Sequence, residues 1–388
     1  MNVHSYRAPT LFFGVSPFLD GYLTVATGFI VAHFFALDEP TLVLSLMASG
    51  YVVGALLGCG LVSTLADRFG RRPVAITLAA FMVLAALVPC LTSVTTVVIA
   101  AHTLLGFLLG ADQPVSLAIV AESSSPDVRP KRLALLMLIW YVGALVAVGM
   151  AAAIPSDNVL TLYWVPVLLA LLSLPIRLRM SESTQWQAAR TSNRDTPQPT
   201  LRHVLRTHPR PFLFCAGMWL CQTVPVTVFL YYSPVIFSAL ADEGGVMIRI
   251  ALLYTAFLLG ALPMVFGLKP NPSKVLTGTF VAMAIGLLGL AFTKGSTVLL
   301  ILFVIVYALG YGMQTTLDYI YPNILFPADI RATASGWIFA VARVGSALAA
   351  FTFPYLLHAL GTEPVLIGGA AVAFLGIGWL FVLPKSER

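Results

Sequence analysis

The sequence predicts an all-α membrane protein in which twelve transmembrane helices form two six-helix bundles. Its composition excludes an ordinary soluble domain, because 59% of the 388 residues are hydrophobic and only 10% are charged. The mean hydropathy is +0.92, and soluble domains carry about 25% charged residues. Twelve apolar stretches have the length of a transmembrane helix. A repeat that relates the two halves of the sequence indicates two bundles.

The helices are delimited by charged residues and by Pro, Gly and Asp turns, since roughly 20 apolar residues span a bilayer core. They cover residues 10–36, 41–65, 73–93, 95–121, 133–155, 159–177, 211–239, 246–268, 274–293, 296–326, 332–358 and 363–384. The longest polar stretch separates the sixth helix from the seventh. We therefore expect an N-terminal bundle at 1–178, a cytoplasmic linker at 179–210 and a C-terminal bundle at 211–388.

The distribution of Lys and Arg predicts the orientation, because basic residues collect on the cytoplasmic side of a membrane. With a cytoplasmic N-terminus, 19 of the 22 basic residues lie inside. These are Arg7, Arg68, Arg71, Arg72, Arg129, Lys131, Arg132, Arg177, Arg179, Arg190, Arg194, Arg202, Arg206, Arg210, Lys269, Lys274, Arg331, Lys385 and Arg388. We expect a monomer in the lipid bilayer of the cell (inner) membrane with both termini cytoplasmic. The net charge of +6 is then a topology signal, and no nucleic-acid partner is expected.

A shift of 202 positions aligns the two halves. It places "ESSSPDVR" after helix 4 on "ILFPADIR" after helix 10. The same shift places Asp20 of helix 1 on Gln222 of helix 7, and Asp112 of helix 4 on Gln314 of helix 10. Internal repeats with a binding site between them near the membrane midplane are typical of secondary transporters.

The segment "STLADRFGRRPV" between helices 2 and 3 resembles the signature loop of the major facilitator superfamily, GxLaDRxGRR. The matching residues are Asp67, Arg68, Gly70, Arg71 and Arg72, while a serine stands where the first glycine is usual. The resemblance implies the major facilitator fold and a gating role for these five residues on the cytoplasmic side. The alternative is a basic turn with no such role.

Other segments resemble particular branches of this superfamily. "CQTVPVTVFLYYSPVIF" in helix 7 is similar to the sugar-porter pattern QQxxGxNxxxYYs, with Gln222, Tyr231 and Tyr232 at matching positions. "SESTQW" after helix 6 resembles the PESPRW of sugar porters. "FLDGYLTV" and "GADQPVSLAIVAE" are closer to proton symporters of phosphate and organic acids. The resemblance implies a sugar-porter-like symporter of a metabolite with protons.

Asp20 and Asp112 are the candidate proton-coupling residues. Each lies about ten residues from the cytoplasmic end of its helix, which at ~1.5 Å per residue is ~15 Å deep. Burial disfavours a charged carboxylate, so such an acid can exchange protons near neutral pH. The alternative is a structural acid that is hydrogen-bonded to a helix end or to a neighbouring Arg.

The amides that replace these acids in the C-terminal half, Gln222 and Gln314, are the candidate substrate-binding residues, because an amide bonds a polar solute without changing charge. Trp219, Tyr231 and Tyr232 are candidate aromatic walls of the same site, each with packing as the alternative. Further along the chain, Asp318 and Arg343 straddle the turn after helix 10, and we expect a structural ion pair.

The sequence thus predicts a proton-coupled secondary transporter of a small polar metabolite (a sugar, sugar acid or organic acid) that works by alternating access. Its partners are the solute, protons and the bilayer. No phosphate-binding loop, haem or zinc pattern or catalytic triad is recognisable, so we expect no cofactor, no metal and no enzyme. One alternative is a proton-driven exporter of drugs or of a secreted metabolite such as a siderophore. A non-transporting sensor on the same fold is the other, against which the short termini argue.

Overall fold

In a computed structural model of the protein, the structure describes residues 14–122, 129–182, 200–240, 245–266, 272–293, 296–326 and 330–382. Twelve long α-helices account for most of these residues. We number them α1 Val15–Ala36, α2 Thr41–Phe69, α3 Arg71–Leu91, α4 Thr95–Glu122, α5 Arg129–Ala153, α6 Trp164–Arg179, α7 Pro209–Leu240, α8 Val246–Val265, α9 Pro272–Ala291, α10 Thr297–Leu325, α11 Arg331–Leu360 and α12 Thr362–Gly378.

Twelve helical segments are long and apolar enough to cross a membrane, the sixth running from Asp157 to Arg179 and the twelfth from Thr362 to Val382. Large apolar side chains point outward from them, and Leu91, Val298 and Phe374 are each more than 60% exposed. A protein in water rarely shows contiguous apolar surface of this kind. The backbone hydrogen bonds of a helix are satisfied within it, so these segments can face hydrocarbon. The predicted all-α class with twelve spanning helices is confirmed.

The structure extends α2 further than its apolar sequence indicates. The helix was expected to end near residue 65, but it continues through the charged positions to Phe69. Gly70 then separates the two helices, with φ 110° and ψ 155°, and α3 begins at Arg71. Only glycine adopts that backbone conformation without strain. The expected loop between helices 2 and 3 is therefore a single-residue break.

Short 3₁₀ helices adjoin two of the long helices. Ser156–Tyr163 leads into α6, and Trp379–Val382 follows α12. A separate short helix, Leu201–Thr207, precedes α7 within the segment expected to be a linker, and the Thr200 side chain caps it. Thr is a favoured residue at that position because its hydroxyl accepts a hydrogen bond from an otherwise unpaired backbone N–H.

The chain divides into two compact units, one of Met1–Asp38 and Leu46–Pro197 and the other of Glu39–Ser45 and Gln198–Arg388. The division between Pro197 and Gln198 falls inside the expected linker. Equivalent helices pack together within each unit. In the first, α1 packs on α5, and α3 on α4 and α6; in the second, α7 packs on α11, and α9 on α10 and α12.

Small residues allow equivalent close helix crossings in the two units. On α2, a Cβ added to Gly58 would collide with the backbone of Phe107 on α4. On α8, a Cβ added to Gly260 would collide with the backbone of Leu309 on α10. Both glycines and both contact positions are 202 residues apart, as the repeat predicts. Close backbone approach at small residues is a common mode of helix association in membranes.

Candidate functional site

The carboxylate of Asp20 lies buried on α1 between two other helices of the first unit. Its two oxygens accept hydrogen bonds from the Tyr51 hydroxyl of α2 at 2.8 Å and from the Trp140 indole N–H of α5 at 2.7 Å. Gly21 and Gly143 bring α1 and α5 together, since a Cβ at either would meet the other helix's backbone. This crossing carries the Trp140 ring to the carboxylate.

Next to this acid, His102 of α4 is fully buried and bonded at both ring nitrogens. Nε2 lies 2.9 Å from the Thr27 hydroxyl, and Nδ1 lies 2.9 Å from the Tyr163 hydroxyl. Thr27 donates its one proton to the carbonyl of Leu23, so it must accept from Nε2–H. In a neutral ring Nδ1 then accepts from Tyr163. Both ring nitrogens are engaged within the unit, which fits a packing role for His102, and the ring stacks on Tyr51 at 5.1 Å.

Asp112 of α4 forms a buried ion pair with Arg177 of α6. The two guanidinium nitrogens donate to the two carboxylate oxygens at 2.5 and 2.7 Å. The same guanidinium donates to the Ala75 carbonyl of α3 at 2.9 Å, and the Ser116 hydroxyl donates to the carboxylate at 3.3 Å. The Asp112 charge is compensated within its own unit, which fits the alternative of a structural acid paired with a neighbouring Arg, and Arg177 is buried near the end of α6.

In the second unit, Gln222 of α7 and Asp318 of α10 are buried together. With the amide nitrogen facing the carboxylate, it donates to both Asp318 oxygens at 2.9 Å. The Arg343 guanidinium of α11 lies 4.9 Å from the centre of the Phe339 ring. The partner that the structure shows for Asp318 is thus the Gln222 amide, and its expected ion pair with Arg343 stays a prediction.

Gln314 of α10 is fully buried, and its amide oxygen lies against the Thr279 hydroxyl of α9, whose one proton also has the Leu276 carbonyl as an acceptor at 2.9 Å. Its amide nitrogen has no hydrogen-bond partner in the described part of the chain. A buried unpaired donor is costly in a native protein. Because an amide turned over would instead let its nitrogen donate to Thr279, the Gln314 amide leaves one polar end, its oxygen or its nitrogen, for a polar solute.

The three aromatic candidates have different surroundings. The Tyr232 hydroxyl donates to the Ala350 carbonyl of α11 at 2.6 Å, so its polar end is engaged within the unit. Tyr231 is equally buried, at 2% exposure. Trp219 is half-buried and packs edge-on against Phe339 at 5.5 Å. Tyr232 therefore fits the packing alternative, whereas Trp219 keeps surface available for a ligand.

At the break between α2 and α3, the Glu182 carboxylate covers the start of α3. The backbone N–H of Arg71 donates to it at 3.0 Å, and that of Arg72 donates at 3.2 Å. A carboxylate at a helix N-terminus satisfies unpaired N–H groups and complements the helix dipole. Gly70 lies against the same carboxylate, and a Cβ there would collide with it.

Of the five predicted gating residues, the structure thus places Gly70, Arg71 and Arg72 at one site with Glu182. The Arg72 guanidinium also donates to the Leu178 carbonyl at 2.9 Å. The side chains of Asp67 and Arg68 lie outside the described residues. The gating role stays a prediction.

Five residues that complete these clusters were missed as site residues: Tyr51, Trp140, Arg177, Thr279 and Glu182. Arg177 carried a usable signal, because an Arg that follows an apolar run directly can turn back into the bundle to reach an acid. Glu182 belongs to the quoted "SESTQW" segment. Tyr51, Trp140 and Thr279 are common in transmembrane helices, and nothing in the pattern marks them.

The family model described as Major Facilitator Superfamily matches residues 11–317 of the chain. The chain belongs to this superfamily. YaaU of Escherichia coli (strain K12), named for an assumed role in metabolite transport, is 27% identical over 93% of this chain and 88% of its own. The minor myo-inositol transporter IolF of Bacillus subtilis (strain 168) is 24% identical over 89% of this chain and 82% of its own.

Among solved structures, the crystal structure of a D-xylose-proton symporter superposes with a TM-score of 0.82. The superposition covers 99% of each chain at 18% sequence identity, which shows that the two proteins share a fold. Together with the twelve spanning helices, these findings make the protein a multi-pass membrane transporter and not an enzyme.

Proposed function

We propose that the protein is a proton-coupled secondary transporter that moves a small polar metabolite by alternating access, with Asp20 as the proton carrier. It works in the cell (inner) membrane as a monomer with both termini cytoplasmic. The excess of basic residues in the predicted inner segments supports this orientation.

The observation that carries the proposal is the environment of Asp20. A carboxylate buried at 5% exposure is costly to keep charged, and Tyr51 and Trp140 donate to it from neutral groups. The Tyr51 hydroxyl can donate to the carboxylate or accept from the carboxylic acid. The side chain can therefore stay in place while its protonation state changes, which a proton carrier requires.

Asp112 is not proposed as a proton carrier. Its ion pair with Arg177 joins α4 to α6, and protonating it would leave the guanidinium buried without a counter-charge. We assign Asp112 to holding the first unit together. This restricts proton coupling in the first unit to Asp20.

The second unit supplies the solute contacts in this proposal. Gln222 and Gln314 are buried amides at repeat positions of the two acids, and one end of the Gln314 amide has no hydrogen-bond partner among the described residues. Trp219 and Tyr231 are proposed as aromatic contacts. Hydroxyl and carboxyl groups form hydrogen bonds with amides, so the proposed solutes are sugars, polyols, sugar acids and organic acids. The name of the relative IolF points to myo-inositol as a probe.

The proposal is tested by uptake into proteoliposomes under an imposed pH gradient, with myo-inositol and D-xylose as first probes. The wild type should accumulate a transported probe above its equilibrium level. Asp20→Asn should lose this accumulation but keep exchange of internal for external solute, because exchange needs no net proton movement.

A matched control is Asp38→Asn, the same chemical change at an exposed residue. Asp38 has φ 54°, a conformation that Asn tolerates, so the variant should fold and accumulate normally. Accumulation that persists in Asp20→Asn at the wild-type level would exclude Asp20 as the carrier.

A further inference from the structure

The short helix Leu201–Thr207 (the linker helix) carries a surface that the proposed function does not use. Its Val204 side chain is fully buried, and the helix packs on α7 and α11 of the second unit. The opposite side is exposed and holds Arg202, His203 and Arg206. The two arginines are four positions apart, so they lie on the same face of the helix. Basic side chains thus cover the exposed surface of the linker helix.

The charge of this surface is not compensated within the part of the chain that the structure describes. Arg202 and Arg206, and Arg210 at the start of α7, are exposed, and their side chains form no hydrogen bond or ion pair with another described residue. The sequence contains no Asp or Glu from Thr196 to Leu240. A guanidinium group binds a phosphate group through parallel N–H donors. The surface is therefore suited to a partner that carries phosphate.

Apolar side chains next to the arginines favour a lipid over a water-soluble anion. Leu205 of the linker helix is 40% exposed, and Leu213 near the start of α7 is 49% exposed. Since α7 is long and apolar enough to cross a membrane, exposed apolar surface continues from the linker helix into a membrane-spanning segment. Helices with basic and leucine side chains bind where lipid headgroups meet acyl chains. A lipid with an anionic headgroup fits both kinds of side chain.

We propose that the linker helix is a binding surface for anionic phospholipid, in which Arg202 and Arg206 hold the phosphate and Leu205 contacts the acyl chains. Basic clusters next to a membrane-spanning helix attract anionic lipids in this way. The bound lipid ties the start of α7 to the membrane surface, because the linker helix directly precedes α7 and packs on it. This binding involves neither the solute nor the coupled proton.

Titration of the purified full-length protein, followed by native mass spectrometry, measures this binding. The probes are phosphatidylglycerol and phosphatidylcholine with the same acyl chains. The wild type should bind phosphatidylglycerol more tightly. Arg202→Gln and Arg206→Gln should each weaken phosphatidylglycerol binding about fivefold, the contribution of one basic residue near an anionic membrane surface. Because the arginines are exposed, the preference for phosphatidylglycerol should also decrease as the salt concentration rises.

Arg179→Gln is the matched control. Arg179 is also an exposed arginine at the end of an apolar helix, but it belongs to the first unit. Its substitution changes the net charge of the protein by the same amount, and the binding of phosphatidylglycerol should stay at the wild-type level. Equal weakening by Arg206→Gln and Arg179→Gln would indicate general attraction to a basic protein and would overturn the proposal.

Two further outcomes overturn the proposal. One is equal binding of the two lipids by the wild type, and the other is wild-type binding by the double variant of Arg202→Gln and Arg206→Gln. Glycerol 3-phosphate carries the phosphate without acyl chains and should bind far more weakly than phosphatidylglycerol. If it binds as tightly, the surface is a site for a soluble phosphate ester and not for a lipid. Transport enters none of these measurements, so failure of the lipid site and failure of the proposed transport function are distinguishable.

Discussion

Charge compensation differs among the buried acids, and it separates structural from functional roles. Asp112 and Arg177 form a two-bond ion pair with no exposed carboxylate surface, and the guanidinium also bonds the Ala75 carbonyl. Removing one partner of such a pair leaves an uncompensated buried charge. Replacing both by apolar residues removes the charges together.

We therefore expect Asp112→Leu and Arg177→Met each to lower the free energy of unfolding by about 3–5 kcal/mol. The double variant should recover most of that loss. Thermal unfolding in detergent is the measurement. Additive destabilisation by the two substitutions would show that the pair does not act as a unit.

Tyr51→Phe tests the Asp20 site and keeps the ring that stacks on His102. The hydroxyl donates to the ionised carboxylate, so its loss disfavours the charged form. A hydrogen bond to a charged group is worth about 1.5–3 kcal/mol. Proton-driven accumulation should therefore be weaker in Tyr51→Phe at the same imposed gradient, while exchange of solute is kept. Accumulation equal to that of the wild type would remove Tyr51 from the coupling site.

The polar residues of the site could be predicted from sequence, but most of their partners could not. An acid or amide inside an apolar run is conspicuous, which is why Asp20, Gln222 and Gln314 were identified. The donors to Asp20 lie 31 and 120 positions away, at Tyr51 and Trp140. Such contacts depend on which helices cross and at what height, and that is decided by packing across the whole unit.

The ends of the helices, like the side-chain partners, could be predicted only in part from the sequence. The lengths of the apolar stretches predicted all twelve helices, but α2 continues beyond its apolar stretch, through charged residues, to Phe69. Charged residues do not stop a helix, because its hydrogen bonds join backbone groups. The chain turns at Gly70 because its φ of 110° lies where other residues are strained.

Gly70→Ala should therefore destabilise the protein by about 1–3 kcal/mol from backbone strain alone. The collision of the new Cβ with Glu182 adds to this cost. Gly361→Ala is the matched control, because Gly361 has φ 79° but open space around its Cβ position. Thermal unfolding should show a larger loss for Gly70→Ala than for Gly361→Ala. Equal losses would mean that the collision with Glu182 does not contribute to the destabilisation.

At the scale of the whole molecule, the 202-residue repeat accounts for what the two units share and for how they differ. Equivalent helices pack in equivalent pairs, and close crossings recur at Gly58 and Gly260. The functional positions have diverged between the units, since Asp20 corresponds to Gln222 and Asp112 to Gln314. The repeat could be read from sequence because it depends on spacing alone.

The orientation of the chain is a prediction at this scale. Because 19 of the 22 basic residues fall in the predicted inner segments, both termini should be cytoplasmic. Cysteines introduced at Asp38 and Glu363, which lie in predicted outer loops, should react with a membrane-impermeant thiol reagent in whole cells. Cysteines at the termini should react only after lysis. Termini on opposite sides of the membrane would contradict the arrangement.

Charge movement during transport tests the central claim most directly, namely that the Asp20 carboxyl carries the coupled proton. Proteoliposomes on a solid-supported membrane report the current that follows addition of a neutral sugar, chosen as the probe that the wild type exchanges. The wild type should give a current whose direction matches proton movement with the sugar, and Asp20→Asn should give none while still exchanging the sugar. Equal currents from Asp20→Asn and the wild type would contradict the account.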